Sequence, residues 1–161
     1  MVTTLRRVRF AFVPQVHVVG ATSASPEQVL EAARDFTARR AELWRDVHVE
    51  HLHVHDQGET WADVTEGNPW PIGIVWERIR YDWSQPDALR GTVIDSNLFA
   101  PGSTWEIRAT AVSGGGSRVE VKAVRKLRGR GWLLWPFFPL GLAKRDVDAY
   151  LRRFLAKVEG N

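Results

Sequence analysis

Hydrophobic and polar positions change their period twice along this chain, and those changes mark its elements. Between Ser25 and Phe36, the apolar residues Val29, Leu30, Ala33 and Phe36 recur at helical spacing. Ser25 suits an N-cap, Pro26 the first helical position, and Gln28 the place where a capping box sets its Glu or Gln. A second short helix is predicted over roughly 38–44, and upstream Val16 and Val18 predict a first strand ending near Gly20. From Val47 onward the pattern predicts strands near 47–55, 60–66, 74–83, 89–98, 104–112 and 117–127. Turn residues separate them: Asp56-Gln57-Gly58, Ser84-Gln85-Pro86-Asp87, Ala100-Pro101-Gly102, and the run Ser113 to Gly116.

Alternation is cleanest in the last two strands. Trp105, Ile107, Ala109 and Ala111 share one face, opposite Glu106, Arg108 and Thr110. Val119, Val121 and Ala123 likewise oppose Arg118, Glu120 and Lys122, so one face is buried and the other meets water. The chain closes on a helical stripe of Val147, Tyr150, Leu151, Phe154, Leu155 and Val158, with most charges elsewhere.

The order is strand, two helices, six consecutive strands, long helix. Short connections favour pairing in sequence, giving one antiparallel meander whose apolar face needs a cover. The expected fold is α+β: a helix grip, in which a curved seven-stranded antiparallel sheet and two short helices wrap a long C-terminal helix. A single domain over 1–161 is expected, with a ligand-sized gap between sheet and helix.

Composition narrows the function. A formal net charge of +3 argues against a nucleic-acid binder. The absence of cysteine removes disulfides, thiolate nucleophiles and Cys-type zinc sites, and fits the cytoplasm. The N-terminal stretch MVTTLRRVRFAFVPQ does not read as a secretory signal. Eight Trp and seven Phe are many for 161 residues, and such rings line cavities as well as cores. No Gly-rich phosphate loop, nucleophile elbow or cofactor motif is present, so no cofactor is expected.

The pattern resembles the START/Bet v1-like (SRPBCC) superfamily, specifically its bacterial polyketide cyclase/dehydrase and lipid-transport branch. The resemblance rests on Ala24-Ser25-Pro26-Glu27-Gln28-Val29, on Leu43-Trp44, on the run from Val75 to Trp83, and on Phe99 to Glu106. It covers about residues 14 to 158 and implies the helix-grip fold. It implies no catalytic residues, because that superfamily shares no catalytic motif; its members include carriers, cyclases and partner-binding proteins. The sequence departs from it at Trp132-Leu133-Leu134-Trp135-Pro136-Phe137-Phe138-Pro139-Leu140, where two prolines break any helix.

Candidate site residues follow from strand faces. Trp61, Trp76, Tyr81 and Trp105 on the strands, with Tyr150 and Phe154 on the last helix, are candidates to line an apolar pocket. Asp95 and Asn97 share a face with Val93; if Val93 points inward, both offer hydrogen bonds to a ligand. In that register Asp95, or alternatively Tyr81, is the candidate general base or acid. The competing register turns Thr92, Ile94 and Leu98 inward and leaves Asp95 in water. Glu77, Arg80 and Tyr81 carry the same ambiguity. His51, His53 and His55 alternate and are candidate metal ligands, but Leu52 and Val54 claim the core side, which favours a solvated histidine face.

The aromatic block from Trp132 to Leu142 is flanked by Arg125, Lys126, Arg128 and Arg130 before and Lys144 and Arg145 after. Such a segment suits a lid over a cavity mouth, a peripheral membrane contact or an oligomer contact, the protein being a monomer or homodimer. The function expected is binding of a small hydrophobic molecule, lipid or polyketide-like, as carrier or sensor. The alternatives are an aromatase/cyclase-type enzyme acting on a poly-ketone, and a partner- or membrane-binding domain.

Overall fold

The computed structural model describes residues 13–71, 73–137 and 140–160. Its elements are β1 Gln15–Thr22, α1 Pro26–Ala33, α2 Arg40–Leu43, β2 His53–Gln57, β3 Trp61–Trp70, β4 Gly73–Asp82, β5 Ala88–Ser96, β6 Thr104–Ala111, β7 Ser117–Val124 and α3 Leu142–Glu159. Two 3-10 stretches, Val49–His51 and Gly129–Phe137, complete the order. The expected reading of the N-terminal stretch and the break at Pro139 lie outside the described residues.

All seven strands form one antiparallel sheet in the order β1-β7-β6-β5-β4-β3-β2. The meander from β2 to β7 is thus sequential, and β1 closes it along β7. This is the α+β helix grip that the sequence pattern predicts.

Local chemistry sets the ends of α1 as expected. Ser25 Oγ accepts from Gln28 N at 3.3 Å while Ser25 N donates to Gln28 Oε1 at 2.9 Å, completing the capping box. At the β6–β7 turn, Gly114, Gly115 and Gly116 all have positive φ, and a Cβ on Gly116 would meet Thr22 O at 2.2 Å. Only glycine fits there.

Three strands depart from the sequence reading, of which β3 simply runs on to Trp70, past its expected end at 66. The segment expected to begin a strand at 47 instead forms a turn and the 3-10 stretch, and β2 starts only at His53. His48 N pairs with Gly67 O, but His51 N then folds back to His48 O, taking that stretch out of the ladder. In β5 the register shifts between Arg78↔Asp95 and Ile79↔Val93, leaving Ile94 as an extra, bulged residue. Neither expected register is therefore right for the whole strand. Val93 points inward before the bulge, and Ser96 and Leu98 point inward after it.

The core lies between the sheet's concave face and α1 and α3. Ala62, Val64, Ile107, Val119 and Phe154 are fully buried there. On α3 the apolar stripe divides. Leu151, Phe154, Leu155 and Val158 are buried in core, and a Cβ on Gly20 would meet Leu155 at 2.9 Å, so the helix sits close on β1. One to two turns earlier, Leu142, Ala143, Val147 and Tyr150 face open space instead.

Candidate functional site

That open space is a cavity of about 790 Å³, bounded by the inner faces of β3, β4 and the end of β7, by the first half of α3, and by Leu134 of the 3-10 stretch. The volume lies in the range of small-molecule sites. Its apolar wall includes Val16, Val75, Ile79, Leu98, Phe99 and Val147. A smaller recess of about 130 Å³ continues beneath it, with Trp44, Trp105, Val121 and Leu151 among its walls.

Charged groups gather where the two chambers meet. Asp46, Glu66, Glu77, Arg125 and Tyr150 line both. Glu66 and Glu77 are directly opposite residues of the β3–β4 ladder, a like-charge placement that is unfavourable by itself. Each carboxylate receives one guanidinium. Arg125 Nη1 donates to Glu77 Oε2 at 2.8 Å, and its guanidinium lies 4.6 Å from the Phe99 ring centre.

Arg40 donates through Nε to Glu66, through Nη1 to Ala33 O at 2.7 Å, and through Nη2 to Tyr81 Oη at 3.0 Å. Arg40 is only 1% exposed, and its guanidinium lies against the rings of both Phe36 and Tyr81, which also contact each other. Burial alone would pull its guanidinium down, but Glu66 and Tyr81 together more than offset this and hold it above its usual range. Tyr81 is pushed well up, first by burial and then by the Glu66 charge.

Asp46 makes no ion pair among the described residues. It keeps open surface as part of the wall of both chambers. Although the residue as a whole keeps open surface, its carboxyl is crowded by protein and loses water, and this, then the Glu66 charge, pushes it up to about 6. Tyr150 is also raised, by partial burial and then by Asp46 and Asp146. Trp44 Nε1 is buried with no hydrogen-bond partner among the described residues, on a ring stacked 4.3 Å from Phe154 and edge-on to Trp105.

The residues named from sequence divide. Trp105 faces the recess and Tyr150 both chambers. Tyr81 points inward but is packed solid between Phe36 and Trp105, away from the cavity. Phe154 is core, with no exposure. Trp61 and Trp76 are turned to the outer face, Trp61 beneath the Arg80 guanidinium at 3.4 Å. Strand parity explains this, since Ala62 and Val64 beside Trp61, and Val75 and Ile79 around Trp76, take the inward positions.

Asp95 and Asn97 are also outside. The Asp95 side chain is half exposed and pairs with Arg128 at 3.1 Å, and Asn97 binds the Trp76 and Ile74 backbone at 3.1 and 2.7 Å. The Ile94 bulge flips both residues away from the side that Val93 occupies. His51 lies in the 3-10 stretch and so leaves the row of His53 and His55, which are exposed; His55 Nε2 contacts Thr65 Oγ1 at 2.8 Å. Among the described residues no three His, Asp or Glu side chains converge as a metal site would need.

Sequence reasoning missed Asp46, Glu66 and Arg40, and left Glu77 open. The signal was available for the two glutamates: Glu66 continues the inward period of Ala62 and Val64, and Glu77 that of Val75, Ile79 and Tyr81. An acidic residue in phase with a buried apolar face marks a polar spot inside.

No family model and no curated protein matches this sequence. Solved structures do match. A Thermus thermophilus protein superposes with TM-score 0.73 at 18% identity, over 90% of this chain and 97% of that one. The ZhuI aromatase/cyclase of a Streptomyces species gives TM-score 0.72 at 13% identity, over 91% and 94%. A START superfamily protein of Mycobacterium smegmatis gives 0.66 at 11%, over 91% and 95%. The chain thus has the START/Bet v1-like helix-grip fold. No helix among the described residues is long and apolar enough to cross a membrane.

Proposed function

We propose that this protein binds a small hydrophobic molecule, lipid or polyketide-like, in the cavity between sheet and α3, as a carrier or sensor. The observation that carries the reading is the division of the α3 stripe. Where Phe154 to Val158 meet the sheet the interior is filled, and where Leu142 to Tyr150 meet it a space of about 790 Å³ is left. Desolvation of an apolar body in that space supplies the affinity, and the carboxylates and Tyr150 fix its orientation. Native mass spectrometry of protein purified from its host tests this. A co-purifying small molecule supports it; protein that stays ligand-free and also takes up no apolar probe ends it.

A second reading is favoured by the ionisable groups inside the cavity. An aromatase/cyclase-type enzyme would hold a poly-ketone chain folded, with its reacting carbons close, and move one proton. Asp46 is the residue suited to that step, since a carboxyl titrating near 6 both gives and takes a proton near neutrality. Conversion of a poly-ketone model compound, lost in Asp46→Asn while binding persists, separates enzyme from carrier.

The aromatic block belongs to the same reading. Leu134 and Leu142 form part of the cavity wall, while Trp132, Leu133 and Leu140 are exposed beside Arg128, Arg130 and Lys144. This make-up suits a wall of the mouth that also rests on anionic lipid. Co-sedimentation with anionic vesicles, lost in Trp132→Ala/Leu133→Ala, checks the membrane part.

A further inference from the structure

The polar junction inside the cavity is unequal in charge. Three carboxylates, on Asp46, Glu66 and Glu77, meet two guanidiniums, on Arg40 and Arg125. The donors of Arg40 are engaged by Glu66, the Ala33 carbonyl and the Tyr81 hydroxyl, and Arg40 does not reach the larger chamber. Arg125 is tied to Glu77 and lies over Phe99. Asp46 has no cationic partner among the described residues, although it lines both chambers. Two further cations, Arg45 and Arg145, line the larger chamber but not the recess, and Asp146 accompanies them.

A carboxylate-headed ligand reaching the junction would bring a fourth negative charge beside three, where the guanidiniums of Arg40 and Arg125 are already paired with Glu66 and Glu77 and the cations of Arg45 and Arg145 line the larger chamber only. A head that donates hydrogen bonds meets Asp46, an acceptor with open surface. The asymmetry grows at Glu66 and Glu77, which are largely shielded from water, because like charges repel more strongly there than in open solvent.

On the reading that the cavity binds an apolar molecule, we propose that its ligand carries a hydrogen-bond-donating, non-anionic polar group, an amine or a hydroxyl, which docks on Asp46 at the junction. Fatty acids and other carboxylate-headed amphiphiles are selected against. Binding of the donor is therefore the step that gives Asp46 a partner.

Three probes of one chain length separate the possibilities: decylamine, decanol and decanoate, each titrated calorimetrically into the full chain at pH 7.5. Decylamine, decanol or both bind at least tenfold tighter than decanoate, and the preferred head names the donor type. In Asp46→Asn that preference falls to within threefold, while a thermal melt confirms that the variant is folded. Decanoate binding as tightly as both other probes, or a preference unchanged in folded Asp46→Asn, overturns the inference and leaves the cavity-binding reading standing. Failure of all three probes to bind overturns both.

Discussion

Glu66 and Glu77 face one another across the β3–β4 ladder, both turned into the interior, and each is met by an arginine from a distant part of the chain. Arg40 arrives from the short second helix and Arg125 from just beyond the last strand. The two ion pairs join the helical layer and the end of β7 to one hairpin. They also place the cavity's polar junction.

Arg40 is the most sensitive point of this arrangement. Arg40→Met would leave Glu66 without its cation and Tyr81 and Ala33 without their donor. Removing one partner of a buried pair costs about 3–5 kcal/mol. Urea denaturation should show that loss, with part recovered in Arg40→Met/Glu66→Gln. A single variant as stable as the parent would show that the pair is not the support described.

Occupancy can be tested by filling the space. Val147 lines both chambers from α3, and Val147→Trp should lower binding of the fluorescent probe N-phenyl-1-naphthylamine at least tenfold. Trp76→Ala, on the outer face, should leave it unchanged. Equal effects of the two substitutions would place the binding site elsewhere.

Asp46 gives a dependence on pH. Its folded carboxyl titrates near 6, above the ordinary aspartate value, through loss of surrounding water and the Glu66 charge, with Glu77 adding and Arg40 opposing. The folded state therefore holds this proton more tightly than the unfolded chain, and stability falls as pH rises through that window. Asp46→Asn should melt higher than the parent at pH 7.5, with the gap narrowing toward pH 4. A gap constant across pH would refute the assignment.

Ser25 tests the part of the fold written most locally. Ser25→Ala removes an acceptor for Gln28 N, and loss of such a cap costs about 1 kcal/mol. The denaturation midpoint should shift without a change in slope; no shift would mean that α1 does not depend on its cap.

Elements set by neighbours in the chain were legible in the residues. The capping box, the glycine-rich turn, the alternation of β6 and β7 and the stripe of α3 each rest on contacts a few residues apart. Together they led to the helix grip. Strand faces were harder to read where a bulge intervenes. Asp95 and Asn97 follow the period of Val93 in sequence, but the extra residue Ile94 turns them outward, and only pairing with β4 reveals it. Trp61 and Trp76 misled because ring size suggests burial, whereas parity with Ala62 and Val75 decides the side.

The sequence by itself determined the order of elements and the helix that covers the sheet, because capping, turn geometry and periodicity are local. Tertiary structure alone decided where the interior stays open, since that depends on how far one end of α3 stands from the sheet. It also decided which charges meet there. Arg40, Asp46, Glu66, Glu77 and Arg125 are scattered over 86 positions of the chain, and only the packing of sheet and helices brings them to one junction.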